Sequence, residues 1–329
     1  MKKLGSRIVG TLVMLGVVVL VVVFGWQEPR DLRFAVVAKA GDARTLQEIR
    51  EGMMRGATNG DAAAVLHTWA EGDGRSHAQL VATLAEQGYD GIALSPVDVH
   101  SARELIEGLT AKGIAVVTFG TDVPQSGRLA HIGTDHHAAG HVAAQQMIRL
   151  LGATARQQGA KRLLVQIVAA GEQPGVVQRI DGFKAAAADT NIECRDIVVA
   201  STDAATCLAA ANKAIAERPH THGFFCTDTV AAHSVALAIE RTATAAATAP
   251  ARPRVVAFGT SDRVLGHVRA GRIDCAIAER PRLVGRMVVQ TLIELALDRV
   301  QGVAPAKRAA GKERIDSGVT VVRREDLGN

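Results

Sequence analysis

Val116-Val117-Thr118-Phe119-Gly120-Thr121-Asp122 has an echo later in the chain, Val255-Val256-Ala257-Phe258-Gly259-Thr260-Ser261-Asp262. Each is a short β-branched run that ends in a phenylalanine, then Gly-Thr, then an aspartate. A continuous apolar run of this length bounded by a turn is the pattern of a strand buried on both faces. Two such runs with the same ending predict two lobes built alike, each with an equivalent strand end. In open α/β sheets ligands sit outside the carboxyl ends of the strands. Two lobes that face each other by those edges enclose a cleft.

The flanking sequence supports this. Leu32–Ala38, Ala63–Trp69, Gly91–Pro96 and Ile114–Phe119 read as strands. They alternate with helical stretches at Ala43–Asn59, His77–Gln87 and Ser101–Lys112. The alternation then restarts. Helices are expected at Ala138–Leu151, Val176–Ala188, Ala204–Arg218, Val230–Arg241, Val264–Ala270 and Leu283–Val300. Strands are expected at Leu163–Val168, Ile197–Ala200, Gly223–Cys226, Val255–Phe258, Ile273–Ile277 and Gly318–Val322. Strand–helix alternation with apolar strands means parallel sheets covered on both faces. Ala243–Pro253, rich in Ala, Thr and Pro, reads as a surface loop.

The 329 residues leave room for about two domains. A content of 48% hydrophobic and 22% charged residues excludes a disordered chain. The formal charge is +5, but Lys2, Lys3, Arg7 and Arg30 against Glu28 supply +3 of it. No basic stripe remains to neutralise phosphates, so nucleic acid is not an expected partner. Ile8–Trp26 carries no charge over 19 residues. As a helix it spans about 28 Å, one hydrocarbon core. Lys2, Lys3 and Arg7 place its start in the cytoplasm, and the rest of the chain is then exported. Val23-Phe24-Gly25 is a poor cleavage site, so an uncleaved anchor is expected, with a cleaved signal peptide as the alternative. Cys194, Cys207, Cys226 and Cys275 form no C-x-x-C pair and read as buried free thiols, with a Cys194–Cys207 bridge as the alternative.

Four segments carry a family resemblance. Asp90-Gly91-Ile92-Ala93-Leu94-Ser95-Pro96 is the first. Gly113-Ile114-Ala115-Val116-Val117-Thr118-Phe119, continued by Gly133-Thr134-Asp135 and Ala139-Gly140, is the second. Arg179-Ile180-Asp181-Gly182-Phe183 is the third, and Ala270-Gly271-Arg272-Ile273 through Ala278-Glu279-Arg280-Pro281 and Gly285 is the fourth. In this order they resemble the sugar-type periplasmic binding proteins of ABC importers, the ribose-binding-protein-like family, over about residues 32–325. The resemblance implies a type I periplasmic binding protein fold, an α/β class with two doubly wound, Rossmann-like parallel-sheet lobes joined by a multi-crossover hinge. An N-terminal membrane helix would precede it. Residues 1–30 would be the cytoplasmic tip and anchor or signal peptide, 31–134 plus 280–312 the first lobe, and 135–279 plus 313–329 the second. LacI-type repressors share the fold, but a helix-turn-helix would have to stand where Ile8–Trp26 stands.

By the same resemblance the ligand contacts lie at the strand ends. Lys39, Asp42, Arg44 and Thr45 follow strand one. Gly120, Thr121 and Asp122 follow Phe119, and Gly259 and Asp262 follow Phe258. Thr227 and Asp228 end the Gly223–Cys226 strand, Arg179 matches a family sugar contact, and Glu279 replaces a family Gln. Gly120 and Gly259 stand where the family has aspartates that hold sugar hydroxyls, and His136 where it has Asn. Each lost charge-assisted bond costs about 1.5–3 kcal/mol. Lys39, Arg44 and Arg179 would suit a smaller or anionic solute. No catalytic constellation, cofactor signature or metal site is expected. His137 and His141, at i,i+4, lie on a solvated first helical turn. The sequence therefore predicts a solute-binding protein at the inner membrane, its binding domain in the periplasm or outside the cell. It would deliver a small polar solute to an ABC permease, or present it to a membrane sensor or kinase.

Overall fold

The computed structural model describes residues 31–58, 62–70, 76–96, 98–158, 162–199, 201–245, 252–300 and 313–328. The first sheet holds β1 (Leu32–Lys39), β2 (Ala62–Trp69), β3 (Gly91–Leu94), β4 (Ala115–Phe119), β5 (Ala130–Gly133) and β11 (Glu313–Asp316), in the order β11-β5-β4-β3-β1-β2. The second holds β6 (Leu163–Ala170), β7 (Ile192–Val199), β8 (Gly223–Cys226), β9 (Arg254–Phe258), β10 (Cys275–Ala278) and β12 (Thr320–Val322), in the order β12-β10-β9-β8-β6-β7. The two orders are the same, and β4 and β9, the two echoing segments, occupy equivalent places. Every pairing is parallel except β10 with β12.

Nine helices are described. They are α1 (Ala43–Ala57), α2 (His77–Ala85), α3 (Val99–Ala111), α4 (His136–Gln158), α5 (Pro174–Ala187), α6 (Ala204–Glu217), α7 (Thr229–Ala245), α8 (Asp262–Arg269) and α9 (Pro281–Val300). Their starts follow from local chemistry. Asp42, Asp98 and Asp203 each accept the backbone N–H three residues on, and Ser76 forms a reciprocal cap with Gln79. The helices cover both faces of each sheet. Phe34, Val36, Val117 and Ile132 meet Met53, Val289 and Leu292, while Ile92, Leu94 and Val116 meet Leu84, Ile106 and Leu109. In the second lobe Phe183 and Phe225 stack at 4.6 Å between the sheet and α4 and α5.

Glycines set how closely two of the helix pairs pack. A Cβ on Gly52 would lie 1.9 Å from the Arg282 carbonyl oxygen, and one on Gly285 2.2 Å from that of Ile49. These couple α1 to α9. In the second lobe a Cβ on Gly140 would lie 2.2 Å from the Arg179 carbonyl oxygen, and one on Gly182 2.0 Å from that of His137. These couple α4 to α5. Gly140, Gly182 and Gly285 are the motif glycines of the resemblance, and here they are points where backbones touch.

The chain passes between the sheets three times, after β5, after β10 and after β11. Asp316 ties two of the passages together, its Oδ1 accepting from the backbone N–H of Asp135 (2.9 Å) and of Gly318 (2.8 Å). Ser317 donates its N–H to the Gly133 carbonyl at 2.8 Å.

Several expectations need correction. The boundary set between 312 and 313 is too early, because Glu313–Asp316 pairs with β5 in the first sheet and only β12 belongs to the second. β5 and β11 were absent from the expected strands. β5 is four residues long with His131 at its centre, and β11, an edge strand, is almost wholly polar. β7 begins at Ile192 instead of Ile197, because its polar first half lies on a sheet edge. Cys194 and Cys207 are not bridged, and all four cysteines are free. Ile8–Trp26 lies outside the described residues. Among the described residues no helix is long and apolar enough to cross a membrane.

Candidate functional site

The carboxyl ends of β4 and β9 face a cleft of about 930 Å³ between the lobes, floored by hinge residues Gly133, Thr134 and Pro281. At each strand end the chain turns through a glycine with positive φ, +71° at Gly120 and +98° at Gly259. The two turns are held alike. Gly120 donates its N–H to Ile132 (3.1 Å) and Gly259 to Ile277 (2.9 Å). A left-handed turn of this kind favours glycine. Both residues are thus backbone elements of the fold. A Cβ on Gly259 would also lie 2.5 Å from Thr229 Cγ2, so an aspartate there would be strained.

The structure brings Asp42, Arg44, Thr45, Gly120, Gly259, Asp262 and Glu279 to the cleft wall. Asp42 caps α1, accepting from the Thr45 backbone N–H (3.0 Å) and hydroxyl (2.8 Å), and these bonds hold its carboxyl below the usual range. Arg44, on the first lobe, pairs with Glu48 at 3.4 Å and reaches Asp262 of the second lobe at 3.9 Å. Both pairs are exposed and contribute little to stability.

Other expected residues lie elsewhere. Lys39 and Thr121 do not line the cleft. Asp122 turns away into the first lobe, where it accepts from Arg128 Nε (2.6 Å) and Nη2 (3.0 Å), with Arg314 Nε 3.5 Å away. Arg128, 1% exposed, is the partner that the sequence reading missed. Asp228 caps α7 through the N–H groups of Val230 and Ala231 and also accepts from Ala170. Thr227 is fully buried, its hydroxyl near the Val168 carbonyl. Ser95, Phe119, Thr229 and Arg263 line the cleft and were not expected there. Ser95 and Phe119 sit inside quoted motifs, and strand-end position was the signal that would have found them.

Arg179 does not line the cleft but stands directly behind Glu279, which does. Its guanidinium stacks on Phe258 at 3.5 Å, donates to the Thr227 carbonyl (2.8 Å) and meets His136 Nδ1 at 3.2–3.3 Å. Glu279 approaches it at 3.7 Å and opens on its other side to the cleft. Enclosure pushes the Glu279 carboxyl up, and the Arg179 charge opposes this. Burial first, and then Arg179, push His136 down to about 4. A neutral His136 is the acceptor that the guanidinium needs.

His131 is likewise pushed down to about 4, mainly by burial, against the pull of Asp122. Both histidines ionise near 6.5 when unfolded, so below that pH the unfolded chain binds more protons than the native one. Their contribution is complete above about pH 6.5 and is lost as pH falls toward 4, by up to about 1.4 kcal/mol per pH unit for each. Denaturant midpoints should therefore drop between pH 7 and 4.5, less steeply in His136→Asn. Equal midpoints at the two pH values would refute this.

A second depression of about 720 Å³ runs along β7 and α6, lined by Lys184, Glu193, Arg195 and Lys213 among others. It lies on a sheet edge where no strand ends converge, so the cleft is the better candidate. Cys226 is fully buried with its thiol pushed well up by burial, which suits packing and not nucleophilic attack.

Two like lobes with a hinge-floored cleft define a two-lobed binding protein. The chain belongs to the periplasmic binding protein domain family, whose profile matches residues 34–299. Members of that family bind substrates and are not enzymes. Among solved structures it is similar to an arabinose-binding protein from Geobacillus stearothermophilus, at 20% identity and a TM-score of 0.78 over 90% of this chain and 98% of that one. The sugar-binding protein of a sugar ABC transporter from Bacillus halodurans gives 20% and 0.77 over 90% and 99%. A periplasmic ribose ABC transporter protein from Conexibacter woesei gives 17% and 0.74 over 91% and 93%. No curated protein matches the chain.

Proposed function

We propose that this protein is the extracytoplasmic solute-binding component of an ABC importer. Its two lobes close on a small polar solute of sugar type and deliver it to a membrane permease. The observation that carries this reading is the convergence of the β4 and β9 ends, from opposite lobes, on one cleft backed by three chain crossings. The family and the sugar-binding proteins among its structural neighbours support it. The alternative, presentation of bound ligand to a membrane receptor or kinase, has no observation in its favour. A thermal-shift screen of the full chain against sugars and sugar derivatives tests the proposal. Ligand at 100 times its Kd adds about 2.7 kcal/mol to the native state. A screen in which no sugar or derivative shifts the transition would overturn it.

The uncharged run Ile8–Trp26 is the proposed tether, with the binding domain outside the inner membrane. N-terminal sequencing of the membrane fraction should recover residues before Ile8. A mature start near Gln27 in the soluble fraction would show a cleaved signal instead.

A further inference from the structure

We propose that the cleft selects a sugar carrying a protonated amino group, with Glu279 as the partner of that ammonium. This rests on the proposed function and reverses the sign of ligand charge expected from the sequence. The chain as a whole carries +5, yet the cleft wall holds five carboxylates, Asp42, Glu48, Asp262, Glu279 and Asp326, against Arg44 and Arg263. Of the three cations that favoured an anion, Lys39 does not line the cleft. Arg44 pairs with Glu48 and Asp262, so these three charges partly offset one another, and Arg179 is held by Phe258, Thr227 and His136 with Glu279 3.7 Å away. The lining is net negative by three charges, and a net negative cleft raises the local concentration of cations.

Glu279 is the group best placed to read that charge. Its nearest cation, Arg179, stands at 3.7 Å, longer than a hydrogen bond, and its carboxylate opens to the cleft. A carboxylate is an acceptor only, and a charged donor makes a stronger bond to it than a hydroxyl does. Among the described residues Phe119 is the only aromatic one lining the cleft, and the Phe258 ring is covered by the Arg179 guanidinium, so ring stacking adds little for any sugar and charge is left to discriminate.

Isothermal titration of the full chain with glucosamine and galactosamine, glucose and galactose, and glucuronate tests this. An amino sugar should bind at least tenfold tighter than its neutral congener, and glucuronate weakest. Glu279→Gln should cut that preference about tenfold. On the unaltered protein, raising the pH until the amine is neutral should erase the preference, a measurement independent of how the variant folds. A neutral sugar or glucuronate bound more tightly than either amino sugar overturns this inference and leaves the proposed function standing. So does a preference that survives Glu279→Gln or deprotonation of the amine. Binding of none of the five, with no shift in the wider thermal screen, overturns both.

Discussion

Arg179→Ala should destabilise the second lobe by about 2–3 kcal/mol, the cost of stranding buried partners of a charged donor. The guanidinium is 12% exposed, stacks on Phe258 and satisfies the Thr227 carbonyl. Its loss leaves that carbonyl and His136 Nδ1 without their donor and takes the nearby positive charge from Glu279. These buried contacts add a stability loss to any effect on ligand binding, because the guanidinium braces Phe258, Thr227 and His136 behind the cleft wall. Arg179→Lys should recover less than half of the loss, since an ammonium has neither the planar face for Phe258 nor the fork for two acceptors. Denaturant unfolding decides it, and a wild-type midpoint for Arg179→Ala would refute the account.

Gly182→Ala should be destabilising by about 1–3 kcal/mol, although alanine is the better helix former by about 1 kcal/mol. The new methyl would lie 2.0 Å from the His137 carbonyl oxygen, and a backbone atom cannot swing aside. The helices α4 and α5 would have to part, opening the packing beside Phe183. Gly108 in α3 has nothing within 4 Å of its missing Cβ, so Gly108→Ala should stabilise by about 0.5–1 kcal/mol. The same substitution thus has opposite signs in two helices of one protein. Stabilisation at both sites would show that helix propensity, and not backbone contact, governs them, and destabilisation by Gly108→Ala would contradict the open space beside Gly108.

These two sites show what was legible in the sequence. The repeated Phe-Gly-Thr ending located both halves of the cleft, because strand-end position follows from pattern alone. Long apolar strands such as β1 and β6 stood out for the same reason. The polar edge strand β11 did not, since Glu-Arg-Ile-Asp carries no apolar alternation. The motif glycines were visible as letters, but that Gly140 and Gly182 are backbone contacts requires two helices to be seen together. Site residues divided along the same line. Asp42, Arg44 and Asp262 reach the cleft because short turns leave them next to strand ends. Asp122 and Asp228 sit equally near strand ends but are claimed by Arg128 and by the α7 N-terminus. Neither claim is encoded at the aspartate itself.

The central claim is that one small solute is held by both lobes at once. Hydrogen exchange of the full chain, with and without the tightest ligand of the screen, tests it most directly, because ligand contact and closure protect the amides they cover. The account predicts coordinated protection of a peptide containing Gly120 and Thr121 and of one containing Gly259 to Asp262, with the segment around Glu279 protected as well. Protection confined to one lobe, or centred on β7 with the strand ends unchanged, would contradict it.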